Sequence, residues 1–315
     1  MEYKEKLLVT SSPHMRSDRT VSKEMLDVII ALIPTGIAGA YFFKGRALII
    51  MATCIISCVL AEFLCNKAMK RESTIGDLSA VVTGLLLSYN VTVTMPIWQM
   101  VLGSFFAIVV AKQFFGGIGQ NIVNPALAAR AFLMASWSSS MTYFVAPGGV
   151  SAIASATPLS GGKQPALMDM FIGNMGGCIG EVSTLAIILG GIYLIYRKVI
   201  DPKVPLIYIA TTAILLVVFN KSANNLLEQL LSGGLFLGAF FMATDYVTIP
   251  VTPKGRVIFA VGCGFLTAII RVFGGYPEGV SYAILLMNLT VPLIEEKIRP
   301  KVFGVDYSKK EGKDE

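Results

Sequence analysis

Long apolar runs separated by short polar stretches make up most of the 315-residue chain. A helix that crosses the hydrocarbon core of a membrane needs about 20 mostly apolar residues, and runs of this kind recur along the sequence. We predict ten such segments, five on each side of a central polar loop. They cover residues 25–43, 47–65, 78–94, 97–113, 122–136, 171–196, 204–219, 231–243, 256–272 and 279–294.

The polar intervals divide the chain into five parts. A polar tail, residues 1–24, precedes the first five segments at 25–136, and a charged tail at 295–315 follows the second five at 171–294. Between the two sets lies a loop, 137–170, that is rich in Gly, Ser and Pro. The first tail lacks the apolar stretch of a cleaved signal peptide, so we expect the first segment to insert uncleaved.

The two sets of segments repeat sequence features in the same order. Phe115-Gly116-Gly117 follows the fourth segment and Phe273-Gly274-Gly275 the ninth, and a cation precedes each, Lys112 or Arg271. Similar dipeptides open the third and eighth segments, Leu78-Ser79 and Leu231-Ser232. Because each set has an odd number of spans, the second must be inverted relative to the first. These features predict an all-α polytopic membrane protein built from two inverted five-helix repeats.

Segments three, five, eight and ten have shorter strongly apolar runs than the others. Short, Gly- or Pro-interrupted segments at matching positions of two halves indicate discontinuous helices around a site near the middle of the membrane. The alternative is a set of kinked helices that surround no site.

The composition argues against a large soluble enzyme. Hydrophobic residues make up 54% of the chain and charged residues 15%, with a mean hydropathy of +0.68, whereas soluble domains have about 25% charged residues. On the predicted topology, 20 of the 26 Lys and Arg lie on the side of the amino terminus, five lie on the other side, and Arg130 lies within a helix. The positive-inside rule then places both termini in the cytoplasm and the central loop outside it. No nucleic-acid partner is needed to explain the net charge of +6.

Cysteine and histidine residues give little support to a metal centre. The five cysteines are scattered in apolar segments, which is typical of buried thiols. The single histidine, His14, lies in the polar tail, so a haem with two histidine ligands inside the membrane is excluded.

Acidic residues within or beside the apolar segments are candidates for ion binding, because charges inside a membrane are costly. Asp77 opens the third segment, Asp245 closes the eighth, and Glu278 stands before the tenth. Their carboxylates could bind Na⁺ or relay H⁺, or each could cap a helix or anchor it at the interface. For Glu62, near the end of the second segment, we expect a cap or anchor.

Two amides lie close together at the start of the fifth segment. Asn121 and Asn124 are three residues apart, with Pro125 beside them, so we expect them on one helix face. Amides both donate and accept hydrogen bonds, which suits the pyrimidine edge of a flavin or a quinone carbonyl. An N-cap role for one of them is the alternative and is compatible with ligand binding.

The central loop contains Ser155-Ala156-Thr157-Pro158, in which small residues surround a threonine hydroxyl. Proline holds the backbone extended after the threonine, which leaves the hydroxyl open to a modifying enzyme. By itself this string is also typical of an ordinary loop.

Several separate motifs resemble one known family. They are the stretch from Lys112 to Ala128, Asp77-Leu78-Ser79, Phe241 to Asp245, and Gly274 to Val280. Together they resemble the B/D membrane subunits of the Nqr and Rnf redox pumps, over about residues 11–298. The family fold implied is similar to that of urea transporters.

The resemblance implies two flavins. The family links FMN through its phosphate to a threonine in a small-small-Ala-Thr motif, which matches Thr157 with Ser155, Ala156 and Pro158 beside it. A common form of that motif has glycine in place of Ser155. The family also binds riboflavin noncovalently.

The resemblance also assigns the family's riboflavin and ion sites to particular residues of this chain. The family's paired amides match Asn121 and Asn124, and the acidic positions implicated in ion coupling match Asp245 and Glu278, with Asp77 as a further candidate.

The short amino-terminal tail resembles that of the Rnf-type D subunits. This implies a bacterial inner-membrane component of ferredoxin:NAD⁺ oxidoreductase, inactive alone and assembled with the A, B, C, E and G subunits. Electrons from reduced ferredoxin would reach the FMN of the G subunit, pass to FMN on Thr157, and return through riboflavin toward the NAD-handling C subunit, coupled to Na⁺ or H⁺ export. The alternatives are a quinone-reducing B subunit of the Nqr type and a solute channel of the urea-transporter type.

Overall fold

The computed structural model describes residues 19–145, 166–220, 225–274 and 279–298. These residues fold into helices joined by turns, and the described part of the chain contains no β-strand. Within these ranges three helices are long and apolar enough to cross a membrane, Val21–Ala68, Ile97–Phe115 and Pro253–Phe273. The predicted class, an all-α polytopic membrane protein, agrees with this arrangement.

We number the α-helices of the described ranges in chain order. The first six are α1 (Val21–Ala68), α2 (Ser79–Tyr89), α3 (Ile97–Phe105), α4 (Pro125–Ser136), α5 (Ser138–Thr142) and α6 (Leu167–Ile172). The next six are α7 (Thr184–Tyr196), α8 (Lys203–Asn220), α9 (Leu226–Leu231), α10 (Leu235–Leu237), α11 (Pro253–Phe273) and α12 (Val280–Lys297). Turns of π-helix extend α3 and α10, over Phe106–Val110 and Gly238–Met242, and 3₁₀ turns lie at Ile75–Asp77 and Gln113–Phe115.

A sharp break divides α1 at Lys44, whose φ of 55° and ψ of −149° are not helical. The two limbs fold back on each other, since a Cβ added to Gly36 would lie 3.7 Å from the Sδ atom of Met51. In a continuous helix those two positions would be ~22 Å apart. The predicted break between segments 25–43 and 47–65 is therefore confirmed.

Short helices occupy the third, fifth and eighth predicted segments, as expected. α2 has 11 residues and α4 has 12, and α10 with its π turn runs only from Leu235 to Met242. The same expectation is wrong for the tenth segment, because α12 has 18 residues. Asn288 and Thr290 interrupt its apolar run without ending the helix, and the Thr290 hydroxyl donates to the carbonyl of Met287 within the helix.

The prediction that the sixth segment forms one helix over 171–196 is also wrong. The helix α7 begins only at Thr184, after irregular chain, and Ser183 caps it by accepting a hydrogen bond from Ala186 N–H. Glycines occur at 173, 176, 177 and 180, and glycine in a helix interior costs about 1 kcal/mol relative to alanine.

The irregular chain before α7 pairs with the end of α2. Ile179 N–H donates to the carbonyl of Val91 at 3.1 Å, and Gly180 N–H donates to that of Tyr89 at 2.9 Å. A Cβ at Gly180 would lie 2.2 Å from the Cβ of Tyr89, so the approach requires glycine. This contact joins the chain before the central loop to the chain after it.

The first helix also packs closely on α7. A Cβ added to Gly190 would lie 2.1 Å from the carbonyl oxygen of Ala31, so the two backbones cross in close contact. At one end of this crossing, Asp27 accepts hydrogen bonds from the Tyr193 hydroxyl at 2.9 Å and from the Arg197 guanidinium at 3.1 Å. Hydrogen bonding to Asp27 raises the pKa of Arg197, and the pair holds α1 against α7.

Four of the five cysteines, Cys54, Cys58, Cys178 and Cys263, are buried, and Cys65 is half-buried. The prediction of buried thiols is confirmed for these four.

Large apolar side chains are exposed on the outer faces of the helices, as lipid contact requires. Examples are Ile37, Ile56, Leu206, Ile214 and Leu293.

Candidate functional site

A cavity lies between the chain before the central loop and the chain after it. Its empty volume, with the open space at its mouth included, is about 730 Å³. Its walls are mostly apolar, with polar groups at a few positions. The lining residues with polar side-chain groups are Ser79, Thr83, Lys112, Asn121, Asn124, Thr244, Asp245 and Tyr246.

Both candidate amides line this cavity, but they do not share a helix face. α4 begins at Pro125, and Asn124 caps it by accepting hydrogen bonds from Ala126 N–H at 3.0 Å and Leu127 N–H at 3.3 Å. Asn121 lies in the turn before the helix and donates to the carbonyl of Val123. The helix-face prediction is wrong because Pro125 has no N–H and favours the first position of a helix. The alternative N-cap role is confirmed for Asn124.

Asp245 lines the same cavity from the other half of the chain. It lies in the turn after the π-helical end of α10, where its carboxylate accepts hydrogen bonds from Val247 N–H at 3.2 Å and from the Thr248 hydroxyl at 3.4 Å. The fold therefore brings Asn121, Asn124 and Asp245 to one cavity.

A buried ion pair meets the cavity at Lys112. The Lys112 ammonium lies 3.0 Å from one Glu62 carboxylate oxygen and 3.2 Å from the other, and it donates to the Ser79 hydroxyl at 2.6 Å. Lys112 is 2% exposed and Glu62 is 0% exposed. The expectation that Glu62 caps or anchors a helix is wrong, because the folded chain places a cation against it in the interior.

Further polar side chains hold Glu62 in place. The Thr74 hydroxyl donates to its carboxylate at 2.7 Å, and the Gln113 amide donates at 3.1 Å. Asn66 in turn donates to Thr74 at 2.9 Å. A buried carboxylate needs such partners, because an unpaired charge in the interior is strongly destabilising.

Asp77 connects to this cluster through Ser79. One Asp77 oxygen accepts hydrogen bonds from the backbone N–H of Ser79, the first residue of α2, at 2.8 Å, and from its hydroxyl. The other oxygen, Oδ2, is buried and has no hydrogen-bond partner among the described residues. Asp77 does not line the cavity itself.

The remaining candidates lie outside the described residues. They are the central-loop residues Ser155, Ala156, Thr157 and Pro158, together with Glu278.

A second buried ion pair was missed by sequence reasoning. Arg130 on α4 donates to Glu181, before α7, at 3.2 Å, and to the Asn90 side chain at 2.6 Å. Glu181 is the one acid in a glycine-rich apolar stretch, and Arg130 stands alone in an apolar segment. Because charges inside a membrane are costly, these two isolated charged residues could have been predicted to pair with each other.

The donor set of the cavity suits an organic ligand better than a metal ion. Apolar walls from Val82, Leu86, Leu194 and Phe241 can cover a flat ring, while amide, hydroxyl and ammonium groups can bind polar edges. Within the described ranges, no group of three or more His, Cys, Asp or Glu residues could hold a metal.

Comparison with known proteins places the chain in a family. The family model described as NQR2, RnfD, RnfE matches residues 8–304. A protein of Acetobacterium woodii, named as the D subunit of a Na(+)-translocating ferredoxin:NAD(+) oxidoreductase complex, is 47% identical over 98% of each chain. A protein of Clostridium ljungdahlii, named as the D subunit of a proton-translocating ferredoxin:NAD(+) oxidoreductase complex, is 44% identical over 94% of this chain and 96% of its own.

A more distant relative agrees with these two. A protein of Escherichia coli, named as the D subunit of an ion-translocating oxidoreductase complex, is 34% identical over 94% of this chain and 98% of its own length. The family model and the relatives each span nearly the whole sequence. This chain therefore belongs to the NQR2, RnfD, RnfE family.

Proposed function

We propose that this chain is the D subunit of an ion-translocating ferredoxin:NAD⁺ oxidoreductase and relays electrons through two flavins. The observation that carries the proposal is the full-length match to two proteins named as that subunit, at 47% and 44% identity. One is named for Na⁺ and the other for protons, so the proposal covers translocation of either ion. The chain acts within the complex and is inactive alone.

The architecture we propose has ten spans in two inverted five-helix repeats, similar to urea transporters, in the inner membrane with both termini in the cytoplasm. Matching contacts in the two halves support it. Lys112 donates to the hydroxyl of Ser79, the first residue of α2, and Arg271 donates to the carbonyl of Ser232, shortly before α10, at 3.0 Å. In each half, the cation before Phe-Gly-Gly thus contacts the serine of the Leu-Ser dipeptide near the start of the short helix.

We place riboflavin in the cavity, against Asn121 and Asn124. The support is the chemistry of the walls: the side chain of Asn121 and the Nδ2 group of Asn124 can meet a pyrimidine edge, while apolar residues cover the rings. Asp245 on the opposite wall, with Glu278 and Asp77, is proposed to take part in the ion pathway. A carboxylate can serve Na⁺ or H⁺.

The second flavin is FMN, joined through its phosphate to the hydroxyl of Thr157. The sequence motif Ser155-Ala156-Thr157-Pro158 and its family resemblance support this assignment. A phosphate link leaves the isoalloxazine ring free for redox chemistry and keeps the carrier attached outside the cytoplasm. The flavin supplies the electron chemistry, and the protein supplies position and electrostatics.

Electrons would reach Thr157-linked FMN from the FMN of the G subunit and leave by way of riboflavin toward the C subunit. The A, B and E subunits complete the assembly. In this proposal, the ferredoxin and NAD chemistry belongs to the other members of the complex.

The test is mass spectrometry of the peptide that contains Thr157, from complex made in cells with a working flavin transferase. We expect the mass of FMN less one water on that peptide, and ultraviolet fluorescence of the denatured band. Thr157→Ala should abolish both, whereas Ser160→Ala in the same loop should keep both. An unmodified wild-type peptide would refute the covalent flavin, and solute flux without flavin would favour the channel alternative.

A further inference from the structure

Lys112 belongs to two features at once, the cavity wall and the buried ion pair. Its ammonium has three N–H groups, and acceptors surround it: both carboxylate oxygens of Glu62, at 3.0 and 3.2 Å, and the hydroxyl of Ser79, at 2.6 Å. The charge is therefore held at a fixed place at the edge of the cavity. A side chain recruited only to neutralise Glu62 would not need to line the cavity as well.

The partner of Lys112 is fixed just as firmly. Glu62 is 0% exposed and accepts further hydrogen bonds from Thr74 and Gln113. Lys112 lines the cavity and Glu62 does not, so the positive end of the pair faces the cavity and its negative end faces the protein interior. Two charged residues line the cavity in the described part of the chain, Lys112 and Asp245, and they come from opposite halves.

We propose that Lys112 sets the reduction potential of the flavin in this cavity, and that Glu62 moderates its effect. This rests on the proposed function, which puts riboflavin there. Reduction adds electrons to the isoalloxazine, so negative charge develops on its ring system. A fixed cation at the wall stabilises the reduced form and raises the potential, and a fixed anion lowers it. Both side chains are buried, so the effect is screened less than it would be in solution.

The proposal predicts opposite effects for the two members of one ion pair. Lys112→Gln removes the cation and leaves the Glu62 carboxylate, so the flavin potential should fall. Glu62→Gln removes the anion and leaves the full charge of Lys112, so the potential should rise. If the pair were purely structural, both substitutions would break the same contact, so the flavin potential would not shift in opposite directions in the two variants.

The experiment uses the intact purified complex. Riboflavin content is measured by extraction and chromatography, and the midpoint potential of the noncovalent flavin by spectroelectrochemical titration at fixed pH and salt. Lys67→Gln, which removes an exposed lysine near the end of α1, is the matched control and should leave both values unchanged. The expected result is a lower potential in Lys112→Gln and a higher one in Glu62→Gln, at wild-type riboflavin content.

A swapped pair covers the case in which a single variant fails to assemble. Glu62→Lys combined with Lys112→Glu keeps an ion pair in the interior but turns a carboxylate toward the cavity. Its flavin potential should lie below that of the wild type.

The outcomes separate this inference from the proposed function. Two results at normal riboflavin content would overturn the role of Lys112 and leave the proposed function standing. One is an equal potential in the wild type and the swapped pair, and the other is a shift of the same sign in the two single variants. Absence of riboflavin from the wild-type complex would overturn the proposed site and, with it, this inference.

Discussion

Arg130 Nη1 lies 3.2 Å from Glu181 Oε1, and both side chains are almost completely buried. The pair joins α4 to the irregular chain before α7, and Asn90 at the end of α2 accepts a further hydrogen bond from the same guanidinium. One buried ion pair thus links three parts of the chain across the central loop. Gly234 makes room for it, because a Cβ there would lie 2.5 Å from the Glu181 carboxylate.

Breaking this pair should destabilise the protein. Glu181→Gln removes the carboxylate that faces the buried Arg130 charge, for which the expected cost is about 3–5 kcal/mol. The measurement is the apparent melting temperature of the detergent-solubilised complex, with Glu72→Gln, at an exposed acid, as the control. Replacing both partners by apolar residues should recover much of the loss. A Glu181→Gln variant that melts with the wild type would contradict the view that the pair holds the halves together.

The close contact between α2 and the chain before α7 gives a second prediction. Gly180→Ala would place a Cβ 2.2 Å from Tyr89 Cβ, so the backbones must separate at a cost of about 1–3 kcal/mol. Gly177→Ala is a matched control in the same stretch, because an added Cβ there meets no atom within 4 Å. The measurement is the apparent melting temperature of both variants. Equal melting temperatures would show that the backbones at Gly180 and Tyr89 are not in tight contact.

Riboflavin content provides a third prediction. Asn121→Ala and Asn124→Ala should each lower extractable riboflavin, while covalent FMN stays at its normal level. Asn124→Ala also loses the cap of α4, at a cost of about 0.5–2 kcal/mol. Asn124→Asp keeps the capping oxygen but not the amide N–H, so it separates the two effects: stability should recover and riboflavin should not. Unchanged riboflavin in both alanine variants would remove these residues from the site.

Ion coupling gives a fourth prediction. Asp245→Asn and Glu278→Gln should each weaken the dependence of turnover on the coupling ion, because a neutral amide cannot supply the carboxylate charge. The measurement is ferredoxin:NAD⁺ oxidoreductase activity of the whole complex in proteoliposomes, titrated with Na⁺ and repeated across pH. Glu72→Gln again serves as the control. Wild-type ion dependence in both variants would exclude these carboxylates from the pathway.

The sequence alone determined the features that depend on local chemistry. A membrane span must be apolar along its length, so the all-α membrane class, the break at Lys44 and the short third and eighth segments could be predicted from composition and spacing. The polar motifs pointed to the family, and the comparisons confirm it. The same reasoning predicted Asn121, Asn124 and Asp245 as site candidates, and the fold places all three at one cavity.

Only the tertiary structure decided how the buried charges pair. Lys112 and Glu62 are 50 residues apart, and Arg130 and Glu181 are 51 apart. Hydrophobic periodicity records which residues face the interior but not which helices pack together, so it could not match these partners. The glycine-rich chain before α7 shows the same limit. Its residues are apolar enough for a span, yet the backbone leaves the helix because its hydrogen bonds are made with the end of α2, a partner that only the folded chain supplies.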